Sequence, residues 1–90
     1  MMIHKNIKIR GWVQGVGFRF SARERARERK LKGFVRNDPD GSLVLGGEGE
    51  EESVKEFISW CRNGPSMAEV EGGESSDGDL ESFEDFEVKT

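Results

Sequence analysis

The sequence predicts an α+β sandwich, and three observations carry the prediction. Strand and helix periodicities alternate in the order β-α-β-β-α-β, with one short strand more near the C-terminal end. Two stretches bear apolar residues three or four positions apart, so each presents a single apolar stripe. The other stretches bear them at alternate positions, one face each. Neither kind can leave its apolar face in water, so both helices must lie on one face of an antiparallel sheet. That is the split-βαβ, ferredoxin-like arrangement. Many unrelated functions are built on it, so the pattern alone fixes no activity.

Taken in order, "MIHKNIKIRG" alternates Ile3, Ile7 and Ile9 with polar residues and reads as a strand with one buried face. Gly11, Gly15 and Gly17 turn the next stretch into a loop. Phe18, Ala22 and Ala26 recur every four residues, one face of a helix from Phe18 to about Arg29. "KGFVRND" is a short strand, "DPDG" a turn in which Pro39 presets φ, and "SLVLGG" the returning strand. Residues 33–47 thus form a hairpin. Gly46 and Gly47 offer no side chains to pack and are expected to weaken it. "EEESVKEFISWCRNG" sets Val54, Phe57, Ile58 and Cys61 on one helical stripe. Its acidic start and Arg62 near its end match the helix dipole. Gly64-Pro65 stops it. "MAEVEGG" is a fourth strand, expected to be short because residues 72–82 are polar and glycine-rich. "ESSDGDLES" reads as a polar loop and "FEDFEVK" as a last edge strand.

A chain of 90 residues makes one domain, 1–90, with a thin core. Charged residues (36%) outnumber hydrophobic ones (33%), and no apolar run approaches membrane-spanning length. The N-terminal residues alternate and lack a signal peptide's apolar stretch, so a cytoplasmic protein without a membrane partner is expected. Cys61 is the only cysteine; it cannot pair within the chain and reads as a buried helix residue. His4 stands alone and is assigned no role. Asp38 and Asp40 read as turn formers, no His/Asp/Glu cluster suggests a metal, and no cofactor is expected. The net charge of −4 hides an asymmetry. Residues 19–36 carry eight Lys/Arg against two Glu, whereas residues 69–87 carry nine acidic side chains and no basic one. The basic helix either attracts an anionic ligand or is a solvated face, with Glu24 and Glu28 interleaved among its arginines.

The stretch "GWVQGVGFRF" bears on that choice. Successive backbone N–H groups in a glycine loop can point into one concavity, and the following helix adds its own unpaired N–H groups. Arg19 stands where loop meets helix, and a guanidinium matches phosphate oxygens with fixed planar donors. No Lys-Ser/Thr follows, so this is not a Walker-type loop. Glycine spacing alone serves a tight strand–helix connection with a surface arginine equally well.

"GWVQGVGFR" at Gly11–Arg19 resembles the first signature of the acylphosphatase family. "GFVRN" at Gly33–Asn37, followed by Asp40-Gly41, resembles its second, and "NGPSMAEVE" at residues 63–71 a later segment. The likeness extends over nearly the whole chain. It implies a hydrolase that cleaves the carboxyl–phosphate bond of small acyl phosphates. By the same resemblance the phosphate-binding arginine is Arg19. The asparagine that orients the attacking water is Asn37, and the phosphate cradle is the backbone amides of Gln14, Gly15, Val16, Gly17, Phe18 and Arg19. The expected partners are an acyl phosphate and inorganic phosphate, the latter as product and competitive inhibitor. No nucleic acid partner is expected, and the chain is expected to be a monomer.

The residue chemistry agrees. A transferring phosphoryl group spreads charge over its equatorial oxygens, so positioning and electrostatics dominate catalysis. The leaving carboxylate has a conjugate acid of pKa about 4 and departs without a strong general acid. Asn37 is no base, but it can hold a water in line. Trp12 and Phe20 either flank the acyl group or simply pack.

Two departures and two rivals stand beside this reading. Arg29 and Lys30 occupy positions where the family commonly has Leu and Gly, so Lys30 is either strained at the helix end or the helix ends otherwise. An RNA-recognition module shares the element order, and "KGFV" at Lys32–Val35 echoes it. Such a module needs aromatics exposed on its central strands, and Ile and Val stand there instead. A regulatory acylphosphatase-like domain, of the kind at the front of large carbamoyl-transfer proteins, is the other rival. Retention of Arg19 and Asn37, and an end at residue 90, weigh against it.

Overall fold

Ile7 and Ile9, at alternate positions of the first strand, share a core with Val54 and Phe57 of the second helix. The structure is a computed structural model and describes residues 1–89. The elements are β1 (Met2–Trp12), α1 (Phe18–Glu28), β2 (Lys32–Asn37), β3 (Leu43–Glu50), α2 (Glu51–Asn63), β4 (Glu69–Gly78) and β5 (Phe86–Val88). Both helices cover one face of a five-stranded sheet of order β4-β1-β3-β2-β5. The expected stripes are buried: Phe18, Ala22 and Ala26 on α1, and Val54, Phe57 and Cys61 on α2, with the fourth expected α2 residue, Ile58, only partly buried against the core. Burial pushes the Cys61 thiol up, which makes it a core residue and no nucleophile.

The sheet is mixed, whereas an antiparallel one was expected. β1 pairs antiparallel with β3 and β4, and β2 antiparallel with β3, but β5 runs parallel to β2. The cause is topological. β4 ends beside His4, at the end of the sheet where β2 begins, so a chain that crosses to the far edge there enters it in the same sense as β2. Glu48 holds that crossing. The residue is 6% exposed, and its carboxylate accepts the N–H groups of Glu81 (2.9 Å) and Phe83 (3.2 Å). Burial pushes this carboxyl up, but the Glu81 amide, the His4 ring and the Phe83 amide outweigh it and keep it below its ordinary value. His4, assigned no role from sequence, is buried with Nδ1 2.9 Å from Glu48 and its ring stacked on Phe83.

The fourth strand corrects a second expectation. It runs for 10 residues and takes in most of the stretch read as polar loop. β1 is 11 residues long and offers β4 a ladder from Trp12 opposite Glu69 to His4 opposite Gly78. Backbone pairing needs no apolar side chain, and Lys5 with Asp77 and Arg10 with Glu74 add opposite charges across it. Nor do Gly46 and Gly47 interrupt the third strand, which runs on to Glu50. A Cβ on Gly46 would stand 2.6 Å from the Phe34 ring, so the missing side chain makes room for that ring.

The first helix ends with Lys30 at φ 59°, the strained alternative of the two. Leu31 N–H bonds to the Ala26 carbonyl (2.9 Å) and Lys30 N–H to that of Arg27 (3.0 Å), and Leu31 is buried. This is a Schellman ending with lysine where glycine is usual.

Candidate active site

Val13 and Phe18, each 1% exposed, anchor the two ends of the glycine loop in the core. Between them Gly15 and Gly17 have φ of 75° and 77°, a region that costs other L-residues about 1–2 kcal/mol. A Cβ at either would meet no protein atom within 4 Å, so the space beside the loop is open. Gly17 is the N-cap of α1 and has no side chain to cap it; the first helical bond runs from Ser21 N–H to the Gly17 carbonyl (3.1 Å). Among the described residues, no carbonyl accepts a hydrogen bond from the amides of Gly15 to Phe20. Free N–H groups at the positive end of a helix dipole suit an anion.

Asn37 faces this loop from the end of β2, opposite Leu43 of β3. Its Oδ1 is buried and, among the described residues, has no hydrogen-bond partner. Leaving a buried acceptor unpaired costs about 1–3 kcal/mol, so the position suits a ligand or water that donates to it. A cavity of about 180 Å³ brings together Gly15, Gly17, Phe18, Arg19, Phe20 and Asn37. Arg19 lies half-buried on the first turn of α1, and its Nη1 donates to the Lys89 carbonyl (3.0 Å). Two turns on, Arg27 bonds Asp85 (2.8 Å), so both arginines tie α1 to the β5 segment.

Two of the expected cradle residues do not line the cavity. Val16 is half-buried against the core. Gln14 turns its side chain aside, and its Nε2 donates to the carbonyls of Asp38 (2.8 Å) and Ser42 (2.9 Å). The glycine loop is thereby fastened to the turn that follows Asn37. That turn is stiff in itself. Asp38 N–H bonds the Ser42 carbonyl (2.8 Å), and Ser42 N–H bonds Asp40 Oδ1 (2.9 Å). Lys8 Nζ lies 2.8 Å from the Asp40 carboxylate and, with Ser42, holds that carboxyl well below its ordinary value. Asp38 and Asp40 are turn formers, as expected. No local pattern signals this role of the Gln14 side chain, because both its acceptors are backbone carbonyls of a distant turn.

Trp12 and Phe20 part company here. Phe20, 55% exposed, lines the cavity; Trp12, 69% exposed, lines another beside Arg10, Asp40, Glu69 and Glu71. On the sheet face away from the helices the aromatic side chains pack on one another. Phe34 is half-buried there beneath Phe83, their ring centroids 5.9 Å apart, and the neighbouring positions of β1 and β3 are His4, Asn6, Lys8, Val44, Gly46 and Glu48.

Fold and site together define a small α+β sandwich with a glycine loop leading into a helix N-terminus. The acylphosphatase family model matches residues 5–88, and the chain belongs to the acylphosphatase family, a family of hydrolases. The acylphosphatase of Archaeoglobus fulgidus is 44% identical over 87 residues, covering 97% of this chain and 98% of that protein. The crystal structure of the Bacillus subtilis acylphosphatase superposes with a TM-score of 0.94 at 32% identity, over 100% of both chains. The same fold recurs inside a longer protein: full-length HypF, in its phosphate- and nucleotide-bound form, matches with a TM-score of 0.89 at 28% identity, with this chain covering 12% of it.

Proposed function

We propose that this protein hydrolyses the carboxyl–phosphate bond of small acyl phosphates, giving a carboxylate and inorganic phosphate. The observation that carries the reading is the buried, unpartnered Oδ1 of Asn37, on a residue that shares a cavity with Gly15, Gly17 and Arg19. In this reading the loop amides and the Arg19 guanidinium bind the phosphoryl oxygens and stabilise the charge they carry in the transition state. Asn37 Oδ1 accepts a hydrogen bond from a water whose lone pair then faces phosphorus. A loose phosphoryl-transfer transition state asks little of its nucleophile, so a neutral amide that orients water is enough. The carboxylate leaves as a weak base, which removes the need for a general acid or a metal.

The test is hydrolysis of acetyl phosphate beside a phosphate monoester, before and after dialysis against a chelator. The acyl phosphate should be cleaved, the monoester spared and the chelator without effect. Equal cleavage of both, or a rate lost to the chelator and restored by Mg²⁺, would overturn the reading. Asn37→Ala should lower kcat by about a hundredfold while inhibition by inorganic phosphate persists. Loss of phosphate inhibition in parallel with rate would reassign Asn37 to the phosphoryl group.

A further inference from the structure

Asn37 is the last residue of β2, so the turn that follows it fixes where its side chain points. The node of that turn is Ser42, 3% exposed. Its carbonyl accepts both Asp38 N–H (2.8 Å), next to Asn37, and Gln14 Nε2 (2.9 Å), from the glycine loop. Its own two donors go to one carboxylate: Ser42 N–H (2.9 Å) and the Ser42 hydroxyl (2.5 Å) both donate to Asp40 Oδ1. The other carboxylate oxygen, Oδ2, faces Lys8 Nζ at 2.8 Å, and Lys8 belongs to β1, opposite Val44 of β3. Contacts thus run from β1 through Lys8, Asp40 and Ser42 to the loop and to the residue after Asn37. The Lys8 and Asp40 side chains are 40% and 49% exposed, and an exposed ion pair by itself contributes little. Asp40 does more than pair, because charge-assisted hydrogen bonds to a buried residue are about twice as strong as neutral ones.

We propose that Asp40 is a positioning residue for the hydrolysis: by holding Ser42 it fixes the turn that aims Asn37 at the glycine loop, and Lys8 holds the Asp40 carboxylate in reach of Ser42. This rests on the hydrolysis proposed above and on the part Asn37 plays in it. The loop amides bind the phosphoryl group whether or not the turn is held, whereas the water oriented by Asn37 must stand in line with phosphorus. A loosened turn therefore acts on kcat and spares phosphate affinity. What Ser42 needs is an acceptor, so a neutral amide at position 40 serves it and a methyl group does not.

The test measures kcat and KM for acetyl phosphate, inhibition by inorganic phosphate and hydrogen exchange of the Ser42 amide, well below the Tm of each variant. Asp40→Ala should lower kcat about tenfold, leave phosphate inhibition in place and speed Ser42 exchange. Asp40→Asn should recover most of kcat, because its side-chain oxygen still accepts both Ser42 donors. Lys8→Met should cost about two- to threefold in kcat. Lys5→Met, which removes a pair of the same kind between β1 and Asp77 of β4, should leave kcat unchanged. An Asp40→Ala enzyme with wild-type kcat, one that loses phosphate inhibition in parallel with kcat, or an Asp40→Asn enzyme as slow as Asp40→Ala overturns the assignment. A wild type that cleaves no acyl phosphate overturns the hydrolysis instead, and Ser42 exchange in the same variants, read without substrate, still decides whether Asp40 holds the turn.

Discussion

At the N-terminus of α1 the amides of Gly15 to Phe20 are without carbonyl partners among the described residues, and Gly15 and Gly17 take up positive φ freely. At its C-terminus the last carbonyls are occupied by the Lys30 and Leu31 amides, and the positive φ is borne by a lysine. Both ends use left-handed backbone, but for opposite purposes. At the first, glycine adopts the left-handed backbone without strain, in a place where a Cβ would meet no protein atom within 4 Å. At the second, the donors and acceptors satisfy one another, so a side chain costs only local strain. A site that must stay open demands glycine, whereas a helix end that only needs closing can tolerate its absence.

The largest test of that contrast is at Arg19. If the open end is a phosphate site, Arg19→Lys keeps the charge but loses the planar fork, and kcat/KM should fall by about 10²–10³. Arg25→Gln, on the same helix, should change the rate only slightly, with a salt-screened effect. Similar small losses in the two variants would mean that the helix acts as a diffuse basic surface.

A smaller effect is expected where the open end is fastened to Asn37. Gln14→Ala removes both hydrogen bonds to the turn and should lower kcat about tenfold while leaving phosphate inhibition in place, because the loop amides remain. Gln14→Glu should do no better, since a carboxylate cannot donate to those carbonyls. A parallel loss of phosphate inhibition would show that Gln14 shapes the loop itself and not its distance from Asn37.

The smallest effect belongs to the closed end. Lys30→Gly should stabilise the fold by about 1 kcal/mol, a rise in Tm of about 4–8 °C, with unchanged activity. A lower Tm would mean that the unfolded-state freedom added by glycine exceeds the strain relieved.

The sequence by itself determined the order of the elements, the core stripes on both helices, the glycine loop and the meeting of Arg19 with it. These depend on periodicity and on glycine's φ, which are properties of neighbouring residues. It also narrowed Lys30 to two alternatives, of which the backbone adopts one. Only the tertiary structure decided the rest. The length of β4 came from the edge that β1 offers, and the parallel course of β5 from the side on which β4 ends. Gln14 found its carbonyls 24 and 28 residues away, and His4 found Glu48 44 residues away. Phe20 and Trp12, equally plausible beside the loop in sequence, were separated by which cavity each lines. Such contacts join segments distant along the chain, and a local pattern carries no record of which distant backbone will come to lie against it.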